Sequence, residues 1–375
     1  MNKKRGRNMW IVLSLGSVII VLLIFIFIPP SFGTIKPYKD SEGNVLLGSI
    51  AEKVYVEING SKQGMIIKGE DINKPVLLLV HGGPGLSDYF LSTLYETGLE
   101  KEFVVCYWEQ RGTGLSYHKD LDYENINKEQ FVLDTIEVTE YLRERFNQEK
   151  IYLIGHSWGS YLGLMAVQAF PELYHAYIAM SQVVNQMDSE KEAFEYMLNQ
   201  YQLKNDKKMI KKFNQYDVMT SENDMMEYRK SALRDQAMHE LGVGTMHEMN
   251  SVITGLFFPS LRCLDYTIGE RIDIWRGKVF SSRSEMLYTI DDFDAREDVL
   301  FLEVPIYFFA GIHDYTTSYQ LQKEFYEILD APIKGFYTFH ESAHSPIFEE
   351  PDFAFQIFTQ DIIHSKVLLS DEINP

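Results

Sequence analysis

Cysteine is almost absent from this chain, which has two in 375 residues, Cys106 and Cys263. Two cysteines so far apart exclude the disulfide framework of a small secreted domain and a zinc site built from several thiolates. The 24 glycines and 12 prolines are also too few for a collagenous or low-complexity chain. With 45% hydrophobic and 14% aromatic residues, the sequence instead predicts a folded protein with a large core.

Basic residues are also scarce, because 35 Lys and Arg stand against 54 Asp and Glu, a net charge of −19. The first 32 residues carry four basic residues and no acidic one, so the rest of the chain has a net charge of −23. A nucleic acid or an anionic membrane surface is bound through clustered Lys and Arg. We therefore expect the acidic body of this protein to bind neither.

One long apolar run is present, residues 10–28, in which three of the 19 residues, two serines and a glycine, are not apolar. At ~1.5 Å per helical residue it is long enough for the ~30 Å hydrocarbon core of a bilayer. Four basic residues precede it, and the positive-inside rule keeps such a flank cytoplasmic. We predict a signal anchor and transmembrane helix over residues 1–32, with the body outside the cell membrane. A cleaved signal peptide ending near Gly33, which would give a secreted protein, is the alternative.

Short apolar runs recur along the body, and most are separated by sequence with a helical pattern. Such runs are typical of strands buried on both faces, and their alternation with helices predicts an α/β fold with a mostly parallel central sheet and helices on both faces. Before them, two alternating segments flank Asn59-Gly60, which predicts a hairpin. The runs cover residues 75–80, 103–108, 151–154, 176–180 and 305–310.

Residues 183–299 break this alternation. The segment is polar and helical in pattern, it contains no convincing buried strand, and it holds ten of the 15 methionines. We predict a helical cap, or lid, inserted after the sixth strand of a core formed by residues 33–182 and 300–375. The methionines and aromatics of the cap either line an adaptable pocket or fill the core of the cap itself.

A candidate nucleophile lies in the pattern G-x-S-x-G, which Gly155, Ser157 and Gly159 form. A buried strand precedes it and an apolar helix follows, the context of a sharp turn that holds a serine exposed at a helix N-terminus. The free N–H groups and the helix dipole favour a developing negative charge there. The pattern therefore predicts Ser157 as a nucleophile.

A serine nucleophile needs a base that is oriented by an acid, in the chain order Ser, acid, His for this kind of fold. Asp314 follows the apolar run 305–310, and His344 follows a last strand at 335–339, so both are expected at the same edge of the sheet as Ser157. His340 is the alternative base, but it lies at the end of the strand itself. An acidic run at 291–298 is the alternative source of the acid, and we interpret it as a solvated surface.

The glycine-rich turn His81-Gly-Gly-Pro-Gly85 follows the first of the apolar runs. Glycines let the backbone turn an N–H group toward a carbonyl oxygen, so we expect the N–H groups of Gly83 and Trp158 to form an oxyanion hole, with Gly82 beside the substrate. The turn lacks the Gly-Lys-Ser/Thr ending of a phosphate-binding loop. Chemistry of this kind requires no metal and no cofactor.

Five segments together resemble the α/β-hydrolase superfamily and, within it, the proline iminopeptidase-like branch. They are His81-Gly-Gly-Pro-Gly85, Trp108-Glu-Gln-Arg-Gly-Thr-Gly-Leu-Ser116, Gly155-His-Ser-Trp-Gly-Ser160, Gly311-Ile-His-Asp314 and Ser342-Ala-His344-Ser-Pro346. The resemblance extends over residues 50–363 and implies the α/β-hydrolase fold and a Ser-His-Asp triad. The family usually has Asp where this chain has Glu109. In that family, cap carboxylates hold the free α-amino group of the substrate. The candidates in this cap are Glu192, Glu195, Glu240, Glu248, Glu270 and Glu285, and Glu109 is a further candidate for substrate binding.

Three functions fit these features. The first is a serine aminopeptidase that releases N-terminal residues, preferably proline, from short peptides. The second is an exported carboxylesterase or amidase that acts on a small acyl substrate through the same triad. The third is a surface binding protein that keeps the motifs without catalysis, against which the intact set of motifs argues.

Overall fold

The computed structural model describes residues 29–121, 126–284 and 286–373. Within those ranges, no helix is long and apolar enough to cross a membrane. The predicted membrane segment at 10–28 lies outside the described residues, as does the first part of the predicted anchor region.

A single eight-stranded sheet forms the centre of the fold and confirms the predicted α/β class. Its strands are β1 (Ile50–Ile58), β2 (Ser61–Gly69), β3 (Val76–Val80), β4 (Val104–Glu109), β5 (Ile151–His156), β6 (Tyr174–Met180), β7 (Ile306–Gly311) and β8 (Lys334–Phe339). They lie in the order β1-β2-β4-β3-β5-β6-β7-β8. The hairpin of β1 and β2 is antiparallel, β2 is antiparallel to β4, and the remaining neighbours are parallel, so the sheet is mostly parallel as predicted.

Helices connect the strands and cover both faces of the sheet. They are α1 (Tyr89–Ser92), α2 (Lys128–Phe146), α3 (Trp158–Ala169), α4 (Gln186–Leu203), α5 (Lys207–Phe213), α6 (Glu222–Arg229), α7 (Ala232–Glu240), α8 (Phe258–Arg262), α9 (Ile268–Arg283), α10 (Ala295–Asp298), α11 (Tyr319–Ile328), α12 (Pro346–Glu349) and α13 (Pro351–Gln360). A π-helix, Ile253–Phe257, runs directly into α8.

The two faces of the sheet bury different residues of the same strands. In β3, Leu78 and its alternate neighbours belong to one apolar core, whereas Leu77 and Leu79 belong to the other. Side chains point alternately to the two faces of a strand, so a continuously apolar strand is stable only when both faces are covered. All five residues of β3 are buried, which is why this short strand lies in the middle of the sheet.

Helices α4 to α10 lie between β6 and β7, the part of the chain predicted as a cap. Part of this segment has an apolar core of its own, in which Phe194, Met197, Phe213 and Tyr228 are buried together. Most methionines of the segment are therefore core residues, and one of them, Met238, also lines the cavity described below.

Candidate active site

Ser157 lies at a sharp turn between β5 and α3, with φ 54° and ψ −122°. This is a strained backbone for a residue with a side chain, and it lifts the hydroxyl above the end of the sheet. Two residues later, a Cβ atom on Gly159 would collide with the carbonyl oxygen of Val80. The elbow can therefore pack against the end of β3 only because position 159 has no side chain.

The loops after β7 and β8 bring Asp314 and His344 together. Nδ1 of His344 lies 2.8 Å from Oδ2 of Asp314, and both side chains are buried. Asp314 also accepts hydrogen bonds from the backbone N–H groups of Thr316 and Thr317, at 2.8 and 3.1 Å, and from the hydroxyl of Thr317 at 2.9 Å. The carboxylate is thus fixed on several sides, and Nε2 of His344 is left as the nitrogen that can accept a proton.

A cavity of about 350 Å³ contains Ser157, His344, Gly82, Gly83 and Trp158 in its lining. His340 is exposed at the end of β8 and does not line this cavity. Most of the wall is apolar. Leu86 comes from the loop after β3, and the other apolar residues come from the loops and helices between β6 and β7: Val183, Met238, Val252, Leu256, Trp275, Leu287 and Ile290. Ser157 and His344 therefore line the same largely apolar chamber, and Asp314 contacts His344.

The turn at residues 81–85 is held against the elbow. Gly83 has φ 121°, a conformation that side chains rarely adopt. The Nε2 amide of Gln110 donates to the carbonyl oxygen of His81 at 2.6 Å, and the indole N–H of Trp158 donates to Oε1 of Gln110 at 3.1 Å. One buried glutamine therefore links the two segments whose backbone N–H groups were predicted to stabilise an oxyanion.

A second His–Asp pair, which the sequence did not indicate, lies beside the first. Nδ1 of His156 is 2.7 Å from Oδ2 of Asp88, and its Nε2 is 2.7 Å from the carbonyl oxygen of His344. Burial lowers the pKa of His156, but the charge of Asp88 and the two hydrogen bonds outweigh it and raise this pKa overall. Both ring nitrogens face acceptors, so His156 fits its site as the doubly protonated cation.

Four of the predicted substrate carboxylates lie away from Ser157. Glu109 is fully buried, accepts hydrogen bonds from Leu115 N–H and the Tyr266 hydroxyl, and does not line the cavity. Burial raises the pKa of Glu109. Its contacts hold the segment after β4 to the loop before α9, which is a structural role.

The two predicted carboxylates of α4 face another site. Glu192 accepts a hydrogen bond from the hydroxyl of Ser318, and together with Glu195 it lines a separate surface pocket. Glu270 caps α9 and forms an ion pair with Lys53 at 2.8 Å. The structure thus brings none of these three carboxylates into the cavity. Each lies on a face of its helix that is directed to other partners.

Besides Asp88, which contacts His156, two other carboxylates line the cavity, Glu190 and Asp235. Glu190 is buried and receives two hydrogen bonds of 2.6 Å from the guanidinium of Arg234, so its charge is already balanced. The side chain of Asp235 is 64% exposed, and one of its oxygens lies 3.5 Å from Nδ1 of His239. Within the described ranges, no group of three or more His, Cys, Asp or Glu side chains is arranged to hold a metal ion.

Comparisons with known proteins agree with this architecture. A family model for the alpha/beta hydrolase fold matches residues 75–351. The probable aminopeptidase YbaC of Bacillus subtilis (strain 168) is 32% identical over 307 residues, which cover 81% of this chain and 93% of that protein. A proline iminopeptidase of Lactobacillus helveticus is 35% identical over 99 residues, 26% of this chain and 32% of its own. The crystal structure of a proline iminopeptidase from Mycobacterium smegmatis superposes with a TM-score of 0.58 at 15% identity, over 84% and 98% of the two chains, and shows the same fold.

Proposed function

Because the chain belongs to the α/β-hydrolase family, we propose that it is a serine hydrolase that releases N-terminal residues, preferably proline, from short peptides. The observation that carries the hydrolase proposal is one of geometry. Ser157 lies on a strained elbow in the same cavity as His344, whose ring Asp314 holds at 2.8 Å. The name of the Bacillus subtilis relative, which this chain matches over most of its length, supports the aminopeptidase activity.

The proposed reaction is acyl transfer in two halves. His344 accepts the proton of the Ser157 hydroxyl as the oxygen attacks the substrate carbonyl, and Asp314 stabilises the imidazolium that forms. The backbone N–H groups of Gly83 and Trp158 donate to the oxyanion. His344 then protonates the leaving amine, and a water molecule repeats the sequence to free the acyl group from Ser157.

An aminopeptidase must also hold the ammonium group at the N-terminus of its substrate. In a largely apolar cavity an ammonium without an anionic partner is costly, so a carboxylate is needed near Ser157. Asp235 is the best candidate of the three that line the cavity, since Asp88 is paired with His156 and Glu190 with Arg234. The apolar wall, which includes Trp275 and Leu287, suits the ring of proline or another apolar side chain.

The second candidate, a carboxylesterase or amidase for small acyl groups, rests on the same wall. The experiment that separates the two is a substrate panel in which kcat/KM is measured for prolyl, alanyl and leucyl anilides and for acetyl and butyryl esters. The proposal predicts that the prolyl anilide has the highest kcat/KM of the three anilides, and that this value is comparable with the values for the esters. Ester turnover that exceeds prolyl-anilide turnover by several orders of magnitude would favour the esterase.

A fluorophosphonate probe tests the third candidate function, that of a binding protein without catalysis. Such probes react with an activated serine, so the proposal predicts labelling of Ser157 in the wild-type protein and none in Ser157→Ala. An unlabelled wild-type protein would favour the binding role.

We further propose that residues 10–28 anchor the protein in the cell membrane with its catalytic domain outside. The support is the length of this apolar run and the basic flank before it. Protease treatment of intact cells should then degrade the catalytic domain, and membranes washed with carbonate should retain the protein. A mature N-terminus near Thr34 would exclude the anchor but leave export intact.

A further inference from the structure

Helix α9 packs directly on the candidate oxyanion turn. A Cβ atom on Gly277 would lie 2.5 Å from the carbonyl oxygen of Gly112, and a Cβ on Gly85 would lie 3.0 Å from the carbonyl oxygen of Gly277. The helix can approach this closely only because both positions are glycine. This contact fixes the next residue of the helix, Lys278, against the turn, where its ammonium donates to the carbonyl oxygen of Pro84 at 3.3 Å.

Lys278 lines the cavity that contains Ser157, and Trp275, one helical turn earlier, lines it too. No carboxylate of the described ranges lies within ion-pair distance of Lys278, although Asp235 is near enough to influence it electrostatically. Burial lowers the pKa of Lys278, and the charge of Asp235 offsets this only in part. The cation therefore lies in a partly dry site without a direct counter-ion.

The other buried charges of the cavity are paired. Asp88 contacts His156 at 2.7 Å, and Glu190 contacts Arg234 at 2.6 Å. A charged side chain held away from water is stabilised mainly by an opposite charge. Lys278 differs from Asp88 and Glu190 because no opposite charge of the described ranges contacts it directly. Its position beside Pro84 places this ammonium group next to the turn that is expected to bind the reacting carbonyl.

We propose that Lys278 binds a carboxylate group of the substrate, and that the preferred substrates are dipeptides whose free C-terminus supplies it. This inference rests on the proposed function. A dipeptide carries an ammonium and a carboxylate at opposite ends, and the cavity offers Asp235 and Lys278 for the two charges. A cavity of about 350 Å³ is suited to a molecule of that size.

The test compares Pro-Ala with Pro-Ala amide, two peptides that differ only in the terminal carboxylate, by release of proline at pH 7. A charge-assisted contact in this setting predicts a kcat/KM for Pro-Ala that is about 10- to 100-fold the value for the amide. In Lys278→Met that ratio should fall to about one. Arg276→Met is the matched control, because Arg276 lies on the exposed side of the same helix, with 60% of its side chain accessible, and this variant should keep the wild-type ratio.

The ratio of kcat/KM for Pro-Ala to that for its amide in the wild-type protein tests the inference even if Lys278→Met does not fold. Equal kcat/KM values for Pro-Ala and its amide would overturn the inference, as would a Lys278→Met protein that keeps the preference. Raising the pH should also weaken the preference, because Lys278 loses its charge while the peptide carboxylate keeps its own. A protein that cleaves prolyl anilide but treats the two peptides alike refutes this inference alone, whereas one that cleaves none of the three refutes the proposed function.

Discussion

The imidazole of His156 supports the backbone of His344, since its Nε2 lies 2.7 Å from the His344 carbonyl oxygen. The other ring nitrogen lies 2.7 Å from Asp88, and Asp88 in turn accepts a weaker hydrogen bond of 3.4 Å from Gly82 N–H. One buried ion pair thus connects the residue before the candidate nucleophile with both the candidate base and the oxyanion turn. The geometry of the reaction depends on residues that do not take part in its bond changes.

Replacing Asp88 by Asn should weaken this support. Without the carboxylate, His156 is stable only as a neutral ring, so its contact with residue 88 loses the charge that strengthens it, and the asparagine amide must donate to Nδ1 in place of accepting from it. We expect kcat/KM for prolyl anilide to fall about 10- to 100-fold, since small misplacements of a base are costly. The free energy of unfolding should fall by about 1–3 kcal/mol in urea titrations. Asp292→Asn, at an exposed ion pair, is the control and should change neither value. An Asp88→Asn enzyme with unchanged kinetics would show that Asp88 does not position His344 or the oxyanion turn.

Glu349 gives the protein a pH-dependent stability. Its carboxylate accepts hydrogen bonds from the N–H groups of Ala343, Ser345 and His247, and burial raises its pKa to about 7. The folded protein therefore keeps a proton that the unfolded chain loses near its ordinary pKa of 4.5. Stability must fall as the pH rises across that window, and the loss is complete above pH 7.

The change is expected to be about 1–3 kcal/mol between pH 5 and pH 8, and Glu349→Gln should remove it. Urea titrations of the wild-type and variant proteins at both pH values measure this difference directly. Glu341→Gln, an exposed glutamate near the same loop, should leave the wild-type pH dependence unchanged. If Glu349→Gln loses as much stability as the wild type between the two pH values, another group is responsible.

Substitution of Gly83 tests the oxyanion hole. At φ 121°, a Cβ atom on residue 83 would be strained and would lie 2.9 Å from the backbone nitrogen of Gly85, so Gly83→Ala should turn the N–H group away from the oxyanion. Loss of one such donor lowers kcat by about 10²- to 10³-fold, with little change in KM. Gly43→Ala also places a side chain at positive φ, but in open space, and its kcat should be unaffected. A Gly83→Ala protein that loses affinity rather than kcat would assign the turn to substrate binding.

Much of the fold could be predicted from local sequence, because its central strands are continuously apolar and such runs are stable only between two helical layers. The common location of Ser157, Asp314 and His344 could be predicted because each follows a strand whose carboxyl end reaches the same edge of a parallel sheet. His156 with Asp88, and Glu190 with Arg234, could not be, since each pair joins residues far apart in the chain. Which acidic residues of the helices line the cavity could not be predicted for a related reason: many have the right charge, and only the packing of those helices decides which of them face it.

The most direct test of the central claim is the kcat of Ser157→Ala with prolyl anilide, measured beside the wild-type enzyme. If Ser157 is the nucleophile of an aminopeptidase, the wild-type protein releases the anilide and the variant is slower by on the order of 10⁶-fold, while both unfold at similar urea concentrations. A folded Ser157→Ala protein that retains a tenth or more of the wild-type kcat would contradict the account.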